Sequence, residues 1–452
     1  MAIDNDAFYG ETKPLKLFAS VAVPGAVGML ASSLYGLFDG IFVGQFLGQT
    51  AFAAVNLAFP FVAINFSLAD LIGVGSSVPI SIALGRRDRA SANNYFTCAC
   101  IVIVLLGIIM GAAMWLAAPA LMAAMGAEGL LAEYAAQYLR VYALFSPVCT
   151  IVFAADNYLR ICGKIKTSMV LNIVMSAGIL LLELLFLGVF KWGIWASPLA
   201  TCLGMALVVI LSMAPFFTGR MTLKFCKPQF DVKILGKMVA AGSPTFLSNV
   251  AARLASIVFN TVLLAMGGED AVTVYGVIMY VNDIVQPLLY GVCDSLQPAI
   301  GYNYGARYRT RVKKLTTYIF MAGAAISLPA AALIFSLPLE ISTLFLSSPS
   351  AELSAMAEFA MRLFSITFLT RWFGFAAQSF LTAINKSLSA SILSTANALI
   401  LPMAFLGILW QLGLTGIWLN FGLTAAAVAA LAIAIFIVQR RSLLPAEDKK
   451  ET

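Results

Sequence analysis

The chain has no histidine. That absence removes imidazole metal sites, histidine general bases and any serine–histidine–aspartate triad. Charge is scarce as well: Asp, Glu, Lys and Arg together make up 11% of the 452 residues, against about 25% in ordinary globular proteins. The seven cysteines, Cys98, Cys100, Cys149, Cys162, Cys202, Cys226 and Cys293, never fall in a CxxC pair. Most lie in apolar runs, where a free thiol behaves as a small hydrophobe. Neither a disulfide nor a metal site is expected. The first fourteen residues carry Asp4, Asp6, Glu11 and Lys13. No small-residue cleavage site follows a short apolar core, so the first apolar run is expected to be a retained span rather than a signal peptide.

What fills the chain instead is apolar. Hydrophobic residues account for 61% and the mean hydropathy is +0.93. A soluble interior cannot absorb that excess. Runs near 15–39, 51–80, 95–118, 134–158, 167–188, 194–217, 237–265, 272–298, 314–337, 357–382, 390–411 and 415–438 give twelve candidates, each long enough to supply the about 20 residues a bilayer-spanning helix needs. The reading is an all-α polytopic membrane protein of twelve transmembrane helices in two six-helix lobes. It places an N-terminal lobe at 1–217, a cytoplasmic linker loop at 218–237 and a C-terminal lobe with a short tail at 238–452.

The basic residues orient these spans. Of 28 Lys and Arg, 23 lie in the termini and even-numbered loops, while the odd-numbered loops hold Arg140, Lys191 and Arg362. The positive-inside rule then puts both termini in the cytoplasm. The net charge of +7 therefore reads as topology, not as nucleic-acid binding. The halves also echo each other. An offset of 220 residues superposes Pro24 on Pro244, Gly48 on Gly268, Gly85 on Gly305, Arg87 on Arg307 and Arg89 on Arg309; an offset of 222 superposes Arg140 on Arg362 and Lys164 on Lys386. Six spans separate the copies, so they share an orientation, and parallel repeats place a substrate site between lobes that rock.

Ionisable residues inside a membrane are costly and default to functional hypotheses. Asp39 lies nine residues before the turn at Gly48, Glu183 eight before Lys191, and Thr201 eight after Gly193. At the helical rise all three lie roughly 12 Å below one surface. Two neighbouring carboxylates away from water cannot both keep a charge, and a hydroxyl completes an oxygen shell. A proton or small-cation site is expected, the rival being two near-interfacial acids paired with solvent. Arg253, Asp283 and Arg371 share a depth near mid-membrane, with Asn249, Asn282, Gln286 and Gln378 nearby. That cluster reads either as a structural ion network or as a substrate cavity lining. Asp70 and Asp294 sit deeper. Asp156 and Arg160 read as an i, i+4 pair. Pro24 and Pro244 interrupt the first span of each half and offer hinges.

Three stretches carry a resemblance: DGIFVGQFLG at 39–48, NYLRICG at 157–163 and QPAIGYNYGA at 297–306. The chain resembles the multidrug and toxic compound extrusion (MATE) family along essentially its whole length, most closely the branch with the DinF- and MepA-like pumps. The resemblance implies two six-helix lobes and export of amphiphilic, often cationic, compounds in exchange for H⁺ or Na⁺. It implies no enzyme activity, no cofactor beyond the coupling ion, a monomer, and a place in the cytoplasmic membrane. Asp39 matches the family's first-helix carboxylate and Pro24 the proline where that helix bends. Glu183 stands where many members have Asp, and Thr201 matches a polar partner. Ile179 replaces the usual Asn four residues before that acid, which makes Ser176 the expected substitute. The acids that NorM-like members carry in spans seven and ten are missing, with Arg253 nearby instead. That departure leaves open an anionic or zwitterionic amphiphile, or a lipid-linked precursor moved by a flippase. A membrane enzyme would need a nucleophile or metal constellation that is not there.

Overall fold

The computed structural model describes residues 6–345 and 350–445. Among these residues every regular element is a helix. α1 (Pro14–Leu47), α2 (Gln49–Gly85), α3 (Arg89–Ala124), α4 (Gly129–Ile161), α5 (Ile165–Glu183) and α6 (Ala196–Phe217) form the first six spans. α7 runs from Val232 to Cys293, 62 residues, about three times what one crossing needs. It is two spans joined at Gly268, whose φ of 65° breaks the helical path. After the short α8 (Gln297–Gly305), α9 (Arg309–Ser336) is the ninth span. α10 (Pro338–Thr343) is a single short piece. α11 (Ala351–Ser365) and α12 (Thr367–Ala383) form one span bent by 41°. α13 (Ser387–Thr395) and α14 (Leu401–Ile408) make another, joined by a π-helical turn at Ala396–Ile400. α15 (Gly413–Gln439) is the twelfth.

The chain divides into two compact units, 6–12 with 27–242 and 13–26 with 243–445. This differs from the sequence expectation of 1–217, 218–237 and 238–452 in two ways. The first stretch of α1 belongs with the second unit, and the first stretch of α7 belongs with the first. The intervening loop is tied to α3. Gln229 N–H donates to Asn94 Oδ1 at 2.8 Å, Asn94 Nδ2 returns a bond to Gln229 O at 3.0 Å, and Cys226 N–H donates to Thr97 Oγ1 at 3.1 Å. With Asn93, whose Oδ1 accepts from Lys224 N–H at 2.9 Å, three polar side chains at the start of α3 thus pair an irregular stretch of loop, because its backbone groups have no ladder of their own.

In the first unit α4 is central, packed on α2, α3 and α6. Helices in lipid gain no hydrophobic drive from meeting each other, so close approach of small residues carries the packing. A Cβ on Gly73 would stand 3.2 Å from the Ala154 side chain, and one on Gly107 would stand 2.7 Å from Pro147 Cα. The second unit is built around α12, against α9, α13 and α15. Outward-pointing Leu116 (79% exposed), Phe217 (72%) and Ile210 (66%) are side chains that a bilayer covers.

The internal repeat reaches the backbone. Arg87 and Arg307 both adopt left-handed φ, 63° and 62°, as do Gly48 and Gly268 at the other ends of their helices. At the second offset Gly163 pairs with Asn385, and Lys191 with Gly413. Arg140 lies over the Trp115 ring in one unit and Arg362 over the Phe335 ring in the other, both at 5.9 Å.

Asp156 and Arg160 form the expected i, i+4 pair at 2.6 Å. Arg160 also donates from Nε to Ser168 Oγ at 3.2 Å, Asn172 and Ser168 donate to Asp156, and the Tyr9 hydroxyl donates to the Arg160 carbonyl. Arg160 is 3% exposed, so Asp156→Ala strands a buried guanidinium without its carboxylate. A loss of about 3–5 kcal/mol is expected, which a thermal melt in detergent reads as a Tm drop on the order of ten degrees. An unchanged Tm would show that the pair carries no stability.

Candidate functional site

The first unit brings two carboxyl groups together. α1 supplies Asp39. α5 ends at Glu183, where the chain passes into a π-helical turn at Leu184–Val189; such turns shift side chains off the regular helical register. α6 supplies Ser197 in its first turn. Glu183 and Ser197 are fully buried. The Ser197 hydroxyl oxygen stands 3.2 Å from Asp39 Oδ1 and 3.2 Å from Glu183 Oε1, and the two carboxyls are neighbours of each other. A hydroxyl owns one hydrogen, so it satisfies one carboxylate at a time. Glu183 Oε2 is buried without a hydrogen-bond partner among the described residues. Two carboxylates at this range cannot both be ionised unless a cation lies between them. Among the described residues no group of three or more His, Cys, Asp or Glu gathers to hold a metal ion.

Around the pair lie three tyrosines. Tyr35 sits one turn before Asp39 on α1, and both acids act on it electrostatically. Tyr138 and Tyr142 of α4, with ring centroids 5.3 Å apart, feel Asp39 as well.

The sequence-derived residues fare unevenly. Asp39 and Glu183 meet. Thr201 is buried one turn further along α6, but the hydroxyl between the acids is that of Ser197. Ser176 donates to the Asn172 carbonyl of its own helix at 3.0 Å and not to either acid. Ile179, in place of the family's Asn, is fully buried and fills the groove at Gly204. Ser197, Tyr35 and Tyr138 were not foreseen. The available signal was periodic: Ser197 is four residues before Thr201 and so shares its helix face. Pro24 is buried inside an unbroken α1, in the stretch that belongs to the second unit.

In the second unit Arg371 of α12 donates from Nη1 to Asn282 Oδ1 at 2.6 Å and from Nη2 to Gln286 Oε1. Gln286 Nε2 donates to the Tyr290 hydroxyl. Residues 282, 286 and 290 follow at four-residue steps on one face of α7. Asn282 Nδ2 also reaches Asp283 Oδ1 at 3.3 Å. Arg253, Asp283 and Asn249 are exposed, and Asp283 feels both arginines. Gln378 lines a small cavity with Arg371. Deeper, Ser379 and Gln297 each donate to Asp294 Oδ1 at 2.8 Å. Amide side chains of α7 hold Arg371, so the cluster is more than the Arg–Asp–Arg network read from depth.

A model of the MatE family matches residues 24–182 and 244–409. The multidrug export protein MepA of Staphylococcus aureus is 24% identical over 454 residues, 99% of either chain. The protein of the same name from Staphylococcus saprophyticus is 24% identical over 452 residues, 98% of this chain and 99% of its own. Among solved structures, an outward-facing multidrug resistance MATE family transporter of the MOP superfamily superposes with a TM-score of 0.92 at 24% identity, covering 98% of this chain and 99% of that one. A MOP superfamily transporter from Pyrococcus furiosus, described as having a binding pocket of reverse polarity that suggests a different function, gives 0.89 at 25% identity over 97% of each chain.

Proposed function

The chain belongs to the MatE family, and we propose that it exports amphiphilic organic compounds, cationic ones among them, in exchange for H⁺ or Na⁺. Its twelve spans make it an integral membrane protein. The observation that carries the coupling is the single hydroxyl of Ser197 set between Asp39 and Glu183, with Glu183 Oε2 buried and unmatched. In this reading both termini face the cytoplasm, the working unit is a monomer, and the chemistry is translocation rather than bond making. The acid pair takes up its ion from outside in one conformation and gives it up inside in the other. A ligand shifts such an equilibrium only by its difference in affinity for the two states. An acid pair that needs one positive charge in one state and is relieved of it in the other supplies that difference.

The names of the staphylococcal relatives support export of drug-like compounds. The test is counterflow of a fluorescent cationic dye from liposomes holding the purified chain, with a pH gradient and a Na⁺ gradient imposed separately. One of the two gradients, imposed alone, should drive dye against its own gradient. If neither does, the exporter is uncoupled and the acid pair has another purpose.

A further inference from the structure

The cavity beside Arg371 lies wholly within the second unit. It measures about 20 Å³, room for one or two oxygen-sized atoms. Its polar lining is Ser248, Gln286, Tyr290, Arg371, Gln378 and Asn397, and no carboxylate lines it. The donors can be counted. Arg371 has five N–H bonds, and its two recorded bonds go to Asn282 and Gln286. Gln286 gives an N–H to the Tyr290 oxygen, which leaves the tyrosine's own hydrogen for the cavity. The side chains of Gln378, Asn397 and Ser248 make no hydrogen bond to a described residue and line the same space. One positive charge and four uncommitted donor groups therefore converge. Asp283 acts on Arg371, and Asp294 on Tyr290, from outside this lining. The apolar side of the wall includes Phe375, whose ring centroid is 4.5 Å from that of Tyr290.

The half-buried guanidinium rests on two neutral amide oxygens, with Asp283 acting on it only from outside the cavity, and its planar fork matches an oxyanion. From this geometry we infer that the Arg371 cavity binds an oxyanion group, a carboxylate above all, on the exported amphiphile. The inference rests on the exporter reading and deepens it. Zwitterionic and anionic amphiphiles join the cations, their anionic oxygens seated on Arg371, Gln378 and Asn397 and their bodies outside this small space.

The probe is a matched pair, a zwitterionic rhodamine with a free benzoic acid and its cationic methyl ester. Fluorescence anisotropy with the purified full-length chain gives both affinities. The acid should bind about tenfold tighter than the ester. Arg371→Met should erase that ratio while leaving ester affinity within about twofold. Gln378→Leu and Asn397→Leu, whose side chains hydrogen-bond no described residue, should each shrink the ratio about threefold without changing Tm, so the test survives a misfolded Arg371 variant. Equal losses for acid and ester, or a wild-type ratio of one, overturn the proposal. So does an inorganic source: sodium phosphate or acetate alone raising the wild-type Tm, but not that of Arg371→Met, with no preference for the acid rhodamine. Ester counterflow in liposomes is measured alongside. Its failure in the wild type sinks the exporter reading, while the acid-to-ester ratio still reports on the cavity.

Discussion

Asp39→Asn should reduce ion-driven counterflow to the level of protein-free liposomes while the purified variant keeps its Tm. The amide is isosteric with a protonated carboxyl, so packing around α1 is retained, but the group no longer gains or loses charge. Glu183→Gln should do the same, because the fully buried Glu183 carboxyl and Asp39 share the Ser197 hydroxyl. Ser197→Ala is the graded case. It removes a hydrogen bond to a charged group, about 1.5–3 kcal/mol, and should weaken ion affinity roughly ten- to hundredfold without ending transport. That shift would be read as a higher proton or Na⁺ concentration for half-maximal counterflow. Full counterflow in Asp39→Asn would remove the acid pair from the mechanism, whatever the other two variants did.

Parts of this arrangement were legible in the sequence for physical reasons. Apolar runs mark spans because a bilayer tolerates neither unpaired backbone nor frequent charge. The depth of Asp39 and Glu183 followed from helical rise alone. Ser197 did not, because a serine in an apolar helix can satisfy itself on its own backbone instead of reaching a neighbour. Ser176 does so, through the Asn172 carbonyl. Nor does periodicity tell which neighbour a helix end chooses. Of the cluster read as Arg253, Asp283 and Arg371 with Asn249, Asn282, Gln286 and Gln378 nearby, the members that hydrogen-bond one another are Arg371 and the amides at 282 and 286, one turn apart on α7 and both bonded by one guanidinium. The exchange of helix ends between units was equally hidden. It depends on glycine contacts that have meaning only once the partner backbone is in place.

Those contacts support the second large prediction. In the first unit a Cβ on Gly75 of α2 would overlap the carbonyl of Met238, and one on Gly242 of α7 would overlap the carbonyl of Leu71. Backbone meets backbone at both points, so no rotamer change makes room. Val78, Ile82 and Ala241 close the seam. Gly75→Leu should therefore detach Val232–Gly242 from α2. Overpacking of side chains alone costs about 1–3 kcal/mol, and a clash with a carbonyl that cannot move exceeds that. The readout is maleimide labelling of Ala241→Cys, a position 1% exposed, in a background with Cys226→Ser; the other six cysteines are buried. Labelling should pass from negligible to fast when Gly75→Leu is added. Gly276→Leu is the control, since a Cβ there meets nothing within 4 Å. It should leave Ala241→Cys protected even though the helix has lost a glycine in the same way. In the second unit a Cβ on Gly291 would overlap Ala26 and one on Gly25 would overlap Ser295, so Gly291→Leu should free the first turns of α1 by the same steric argument. If Gly75→Leu leaves Ala241→Cys unreactive, the seam does not depend on glycine. The side chains of Val78 and Ile82 would then be what holds α7 to α2.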